Sequence, residues 1–347
     1  MTPPSEGRPV ILFCFDEARG LLSPSDLAFN SLRRALRHRS RPKEGCLKTD
    51  KEESFFAVLL DTYAKFNTFC PPRGLDPNAK FASKYEEQFH PLWKVNSFDV
   101  LAKGKHTIEM LTVNIDVEHL FSLGRPNWSA RFHLGGIDRL VRDAIEKVYG
   151  GGTSKSLNEH VLIALLSYRM QFYVLSHVLA EYLVSGYMRM IYEISDDHRS
   201  MRTIQPSEPI LAWVAFREIE RKPGCKLQVL QNFHEQCARG SIDAGDIGEM
   251  VAALILMFSF DGKQYDNRPS PQGVFTFLES LSGQYIARSD NLQSRMNDDP
   301  DMKRLMSKGF VFFNHFARLE GGGDRFCHPA GVGTRSCLFL VRRKRVI

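Results

Sequence analysis

The sequence predicts a short α/β region built on a partial parallel sheet, followed by a mainly α-helical region. Two patterns carry this expectation. Near the N-terminus, the apolar runs Val10–Phe15 and Ser54–Leu60 flank one amphipathic helical stretch, the strand–helix–strand order of a parallel sheet. From Ile137 onward, apolar residues recur at i, i+3 and i+4, the spacing of helices that bury one face.

Val10–Phe15 is bounded by Pro9 and by the acidic pair Asp16-Glu17, and its bulky residues suit a buried strand. Ser23–Asp26 supplies N-cap chemistry for a helix running to about His38, with Leu27, Leu32, Ala35 and Leu36 expected on one face. The second run ends at Asp61-Thr62. Pro71–Lys105 has weak periodicity and reads as an irregular connection. Ile137, Leu140, Val141, Ala144, Ile145 and Val148 predict a helix that Gly150–Gly152 stops. Ser156–Glu159 has capping-box spacing ahead of a long apolar helical region, Val161–Val184. Further helices are expected from Pro209 to about Glu220, over Ala244–Phe260 and over Pro271–Leu281, with a strand at Phe310–Phe316. These elements divide the chain into an α/β region (1–135), a helical region (136–308), and a short strand with a basic tail (309–347).

Composition bounds the function. Across 347 residues, 43% are hydrophobic and 25% charged, which is globular usage and leaves ample apolar surface for a core. The seven cysteines are odd in number, widely spaced and without a CxxC. That excludes a disulfide framework or zinc knuckle and predicts reduced thiols inside a cell; Cys14, within a strand, is expected to pack. The N-terminus has no apolar signal region. The stretch Val161–Val184 carries Arg169, His177 and Glu181, charges that a bilayer centre disfavours, so no membrane association is expected. Net charge is +6, and between Arg33 and Lys51 eight Lys or Arg face two acids; Val341–Ile347 is also basic. Either run suits a nucleic-acid partner, and the tail favours the nucleus over the cytoplasm.

The Val10–Glu17 segment fits the Walker B pattern, in which an apolar strand delivers an Asp-Glu pair at its carboxyl end. There Asp16 would hold Mg²⁺ through its hydration shell, and Glu17 would act as the catalytic base that polarises the attacking water. Thr62, ending the neighbouring strand, could donate a hydrogen bond to a nucleotide phosphate, whereas Asp61 beside it repels one. No GxxxxGK[ST] phosphate loop precedes the strand. The nearest lookalike, Gly150–Ser156, has Ser154 where the second glycine belongs and follows a helix; it reads as a loop between helices. Among other clusters, Asp196–His198 reads as a solvated turn, no HExxH or GxSxG occurs, and Phe172, Tyr173, Tyr182, Tyr187 and Tyr192 read as core.

Five stretches carry a family resemblance: Ile11–Ala18, Phe55–Pro72, Leu123–Arg131, Gly240–Ala252 and, more weakly, Gly309–Phe316. On these the chain resembles fungal P-loop NTPase-like proteins related to the ATPase modules of Crinkler-type and transposon-associated retrotransposon-hot-spot proteins. The resemblance implies a P-loop NTPase-type parallel sheet followed by a helical lid, with Arg125, in the Gly124-Arg125-Pro126 element, as a sensor contacting nucleotide phosphate. It also implies a Walker A segment upstream and a nuclease-like segment after Gly309–Phe316. Here Gly321–Arg325 and a basic tail follow instead, and Asp324 and Lys344 do not fit nuclease positions.

The expectation is therefore a truncated or degenerate P-loop NTPase-like protein with Walker B but no Walker A. At most it binds nucleotide weakly, with Mg²⁺ and ATP as the cofactors, and it is not an autonomous ATPase. Loss of the central strand predicts exposed apolar edges around Val10–Leu60, available for self-association. The alternative is a helical interaction or nucleic-acid-associated protein using its basic segments.

Overall fold

Residues 10–15 (Val10–Phe15, β1) are apolar throughout and extend as a strand. In the computed structural model β1 pairs in parallel with β2 (Ser54–Leu59), in register from Val10↔Ser54 to Phe15↔Leu59. The structure describes residues 10–22, 25–40, 54–61, 92, 121, 123–152, 156–195, 199–245, 247–262, 272–283, 289–312 and 339–342. They fall into two units, one holding residues up to 92 with 193–201, the other holding the rest. Mostly helical with small sheets, they agree with the expected mainly helical region.

In the first unit, parallel strands need a crossover, and α1 (Leu27–Ser40) supplies it. A 3₁₀ turn, Ala18–Leu22, intervenes between β1 and α1 and was not foreseen. Phe29, only 1% exposed, anchors α1, which packs on β2 and on the 3₁₀ turn. The sheet itself stays open: Ile11 is 37%, Leu12 56% and Phe13 40% exposed. Successive strand residues face opposite sides, so apolar surface is uncovered on both faces, although parallel sheets are ordinarily covered on both. Cys14, expected to pack, is exposed for the same reason.

The second unit is built around α3 (Glu159–Arg169), whose residues 161–169 are all buried. Asn158, not the predicted Ser156, caps it, its side-chain oxygen accepting from the Val161 N–H at 2.9 Å. The apolar stretch 161–184 is not one helix. It breaks after Arg169, Val174 bridges Ile242, and α4 (His177–Gly186) restarts with Ser176 as its cap. Arg169 explains why a charge was tolerated in that stretch: its guanidinium binds Asp261 through two hydrogen bonds of 2.8 and 3.1 Å, both side chains nearly inaccessible, and stacks on Phe216.

Around α3 pack α5 (Pro209–Arg221) and α6 (Cys225–Ala238). α2 (Pro126–Val148) lies on α5. It begins well before the predicted Ile137 because Pro126 sits at its first turn, and it kinks at Gly136, where φ is +67°. α6 and the paired strands β3 (Met190–Ile194) and β4 (Met201–Ile204) escaped the sequence reading. Helix α7 (Ile247–Asp261) and helix α8 (Val274–Ser282) pack together, and α8 in turn meets α10 (Pro300–Lys308), which follows α9 (Asp290–Asp298). A three-stranded antiparallel sheet joins β5 (Gln272–Gly273), β6 (Gly309–Phe312) and β7 (Phe339–Arg342); β6 covers the described part of the strand expected at 310–316. Of the predicted aromatic core, Phe172 and Tyr187 are buried whereas Tyr182 is half exposed.

Candidate functional site

The acidic pair lies at the carboxyl end of β1. The ladder runs past Phe15: its carbonyl accepts from Leu60 N–H at 2.8 Å, and Ala18 N–H donates to the Leu60 carbonyl at 3.1 Å. Between those bonds Asp16 and Glu17 turn outward. Glu17 adopts φ +50°, a left-handed conformation that few non-glycine residues take up. Asp16 stabilises this turn by accepting from Glu17 N–H at 2.9 Å. Both carboxylates are exposed.

Two further groups complete the rim. Arg19 pairs its guanidinium with the Glu17 carboxylate, and its backbone N–H donates to Asp61. Arg19 was not singled out from sequence; only its position two residues beyond Glu17, within the 3₁₀ turn, brings it back to the rim. The rim is thus three carboxylates and one guanidinium. Among the described residues no group of three metal-ligating side chains is arranged to hold a metal ion. A Mg²⁺ ion suits this chemistry only in the form that keeps its waters and takes one carboxylate plus phosphate oxygens. Thr62 lies outside the described residues.

Arg125 belongs to the other unit and to a different construction. Glu208, whose side chain is fully inaccessible, accepts from Arg125 N–H at 3.2 Å and from the Trp128 indole N–H at 2.7 Å, and pairs with the Arg125 guanidinium. Arg125 also donates to the Met188 carbonyl at 2.7 Å. Gly124 is required here: its φ is +94°, and a Cβ would fall 2.7 Å from Glu208 Cγ. Nearby, Tyr168 is buried and donates to the Tyr187 carbonyl at 2.8 Å; burial, then the Glu208 charge, hold its hydroxyl well above the usual tyrosine range. The Gly124–Trp128 element is therefore a receptor for one buried carboxylate, with Arg125 also forming the N-cap position of α2. The Gly150–Ser156 lookalike follows α2 and precedes α3, with Gly150 and Gly151 at positive φ, as a loop between helices; residues 153–155 lie outside the described residues. Asp196–His198 lie outside them too.

A family model described as a domain of unknown function, DUF8736, matches residues 154–345, more than half of the chain. The chain belongs to the DUF8736 family. A second model, also a domain of unknown function, DUF8735, matches residues 5–95. The DUF8735 match contains β1, α1 and β2 with the acidic rim, and the DUF8736 match contains α3 with α5 and α6. Gly124–Trp128 falls between the two. No curated protein and no solved structure matches the chain. Among the described residues no helix is long and apolar enough to cross a membrane.

Proposed function

We propose that this protein is a degenerate P-loop NTPase-like protein that binds nucleotide weakly at the carboxyl edge of β1 and β2 and does not hydrolyse ATP unaided. One observation carries the reading: Asp16-Glu17 terminates a strand paired in parallel with the next, across a helical crossover. Ligands of open α/β sheets sit at the carboxyl ends of the strands. Asp16 would contact hydrated Mg²⁺ bound to ATP. Glu17 is the base in the reading, but its ion pair with Arg19 argues against efficient catalysis. Arg125 was expected on phosphate; its engagement with Glu208 supports a packing role instead.

Titration of the full chain with ATP and Mg²⁺ tests this. Saturable binding is expected, with a dissociation constant on the order of 1 mM, about 4 kcal/mol of binding free energy, and Asp16→Ala abolishes it. Absence of saturation, or binding indifferent to that change, refutes the reading.

The second reading, a nucleic-acid-associated protein, draws support from α1, whose sequence LAFNSLRRALRHRS holds no acidic residue. Self-association through the open sheet draws support from the exposed Ile11, Leu12, Phe13, Phe56 and Leu60; a mass measurement across concentrations checks it.

A further inference from the structure

Helix α7 is apolar around nearly its whole circumference, yet one side of it stands in water. Its charged residues are Glu249 and Asp261, and Asp261 is buried against Arg169. Met250, Leu254, Met257 and Phe260 are buried as well. On the opposite arc Ile247 is 51%, Val251 47% and Ile255 52% exposed, with Gly248 and Ala252 exposed beside them. A helix apolar on all sides is ordinarily covered on all sides.

The open arc is complementary to itself. Seven residues make almost two turns, so Gly248 and Ile255 fall on nearly one line along the helix, about 10 Å apart. Among the described residues nothing lies within 4 Å of where a Cβ on Gly248 would stand. Packing inside the chain therefore gives no reason for a residue that helices disfavour. A second helix gives one, because it can approach closely there and seat a branched side chain in the gap. In an antiparallel pair with its two-fold axis near Val251 and Ala252, Ile255 of each copy lies over Gly248 of the other. Val251 then lies beside its own mate. Such contacts are isologous, with the knob and its gap on one surface.

Charge points to the same occupant. Two-fold pairing sets like groups near one another, so a chain of net charge +6 docks on itself best through a face without cations, and this arc carries none. The lysine at its border, Lys226 of α6, lies over the Phe258 ring at 4.5 Å and is held by Glu220 at 2.7 Å. Antiparallel pairing brings that end of α7 toward the end bearing Asp243 and Glu249, and aligns the helix dipoles favourably. A bilayer fits less well, because helices lying on lipid carry Lys and Arg on their polar face, and α7 itself contains neither.

We propose that the face of α7 formed by Ile247, Gly248, Val251, Ala252 and Ile255 is a docking surface for a second copy of this chain, in an antiparallel two-fold pair. The surface is separate from the open sheet of the first unit and independent of the nucleotide reading. One helix face is small beside the about 1,600 Å² of a standard interface, so the dimer is weak and depends on concentration.

The test is sedimentation equilibrium from about 1 µM to about 1 mM, on the full chain and on its Phe13→Ser variant, in which the open sheet contributes less. A monomer–dimer equilibrium is expected in both. Gly248→Leu fills the gap without meeting a described atom of its own chain, and should weaken the dimer by about tenfold or more with circular dichroism and thermal midpoint unchanged. Adding Ile255→Ala, which shortens the side chain opposite, should recover part of that loss. Val251→Glu and Val251→Lys should each dissociate the dimer, and an equimolar mixture of the two should restore it. Monomer throughout the range overturns the proposal, as does a dimer indifferent to Gly248→Leu. Absence of recovery in both the double variant and the mixture overturns the antiparallel pairing. A monomeric chain that sediments with anionic vesicles, and ceases to with Val251→Glu, assigns the face to lipid and overturns the proposal as well.

Discussion

The two units treat polar and apolar groups in opposite ways. In the helical unit, two carboxylates are taken into the core and matched: Glu208 receives three hydrogen bonds, and Asp261 meets Arg169 with both side chains inaccessible. In the α/β unit, carboxylates and guanidinium stay at an exposed rim while Ile11, Leu12 and Phe13 stand in water. Burial makes a polar contact costly to break because the orphaned partner cannot rehydrate. Exposure leaves the same chemistry cheap to alter and free to meet a ligand. Among the described residues, the helical unit thus holds most of the buried core, and the open unit the exposed acidic rim.

The sharpest way to break this contrast is Glu208→Ala. It removes the acceptor of the buried Trp128 indole N–H and the carboxylate partner of Arg125, and we expect a loss of about 3–5 kcal/mol in urea unfolding; a loss under about 1 kcal/mol would mean the carboxylate is not desolvated. Leu165→Ala, at a fully buried site in α3, should cost about 2–5 kcal/mol by leaving a cavity, read in the same unfolding experiment. Gly124→Ala should cost about 1–3 kcal/mol, since alanine is strained at φ +94° and its methyl group meets Glu208; differential scanning calorimetry measures it. By contrast, Phe13→Ser in the open sheet should shift stability by no more than about 0.5 kcal/mol and reduce self-association in light scattering. If Phe13→Ser instead unfolds the chain, the sheet is covered in solution and the contrast fails.

A pH experiment sharpens the same comparison. Burial raises the Asp261 carboxyl above its ordinary value, with Arg169 pulling it back. The folded value exceeds the unfolded one, so between them the folded chain holds the extra proton. This contribution to stability is present at low pH and is lost as pH rises through the raised folded value. Asp261→Asn should remove that decline, seen as the difference between the two pH–stability curves.

Much of the layout was legible in sequence where one local signal sufficed. The β1 run, the proline at the start of α5 and the apolar stretch of α7 are local patterns, and each element lies where its pattern put it. Signals misled where two competed. Ser156 offered a capping box, yet Asn158 caps α3, because a cap is chosen by where the helix must begin to bury 161–169. The apolar run 161–184 looked continuous, but α3 ends at Arg169, whose charge meets Asp261, 92 residues away in sequence.

At the candidate site, the sequence by itself determined that an acidic pair follows an apolar strand and that eight Lys or Arg against two acids follow between Arg33 and Lys51. Those are properties of neighbouring residues, and periodicity with charge reads them. Only the tertiary structure decided that Arg19 folds back onto Glu17, that Asp61 joins the rim, and that the Gly124–Trp128 element closes on Glu208. Each depends on where a distant backbone segment passes, and no local pattern encodes the spacing between segments that only packing brings together.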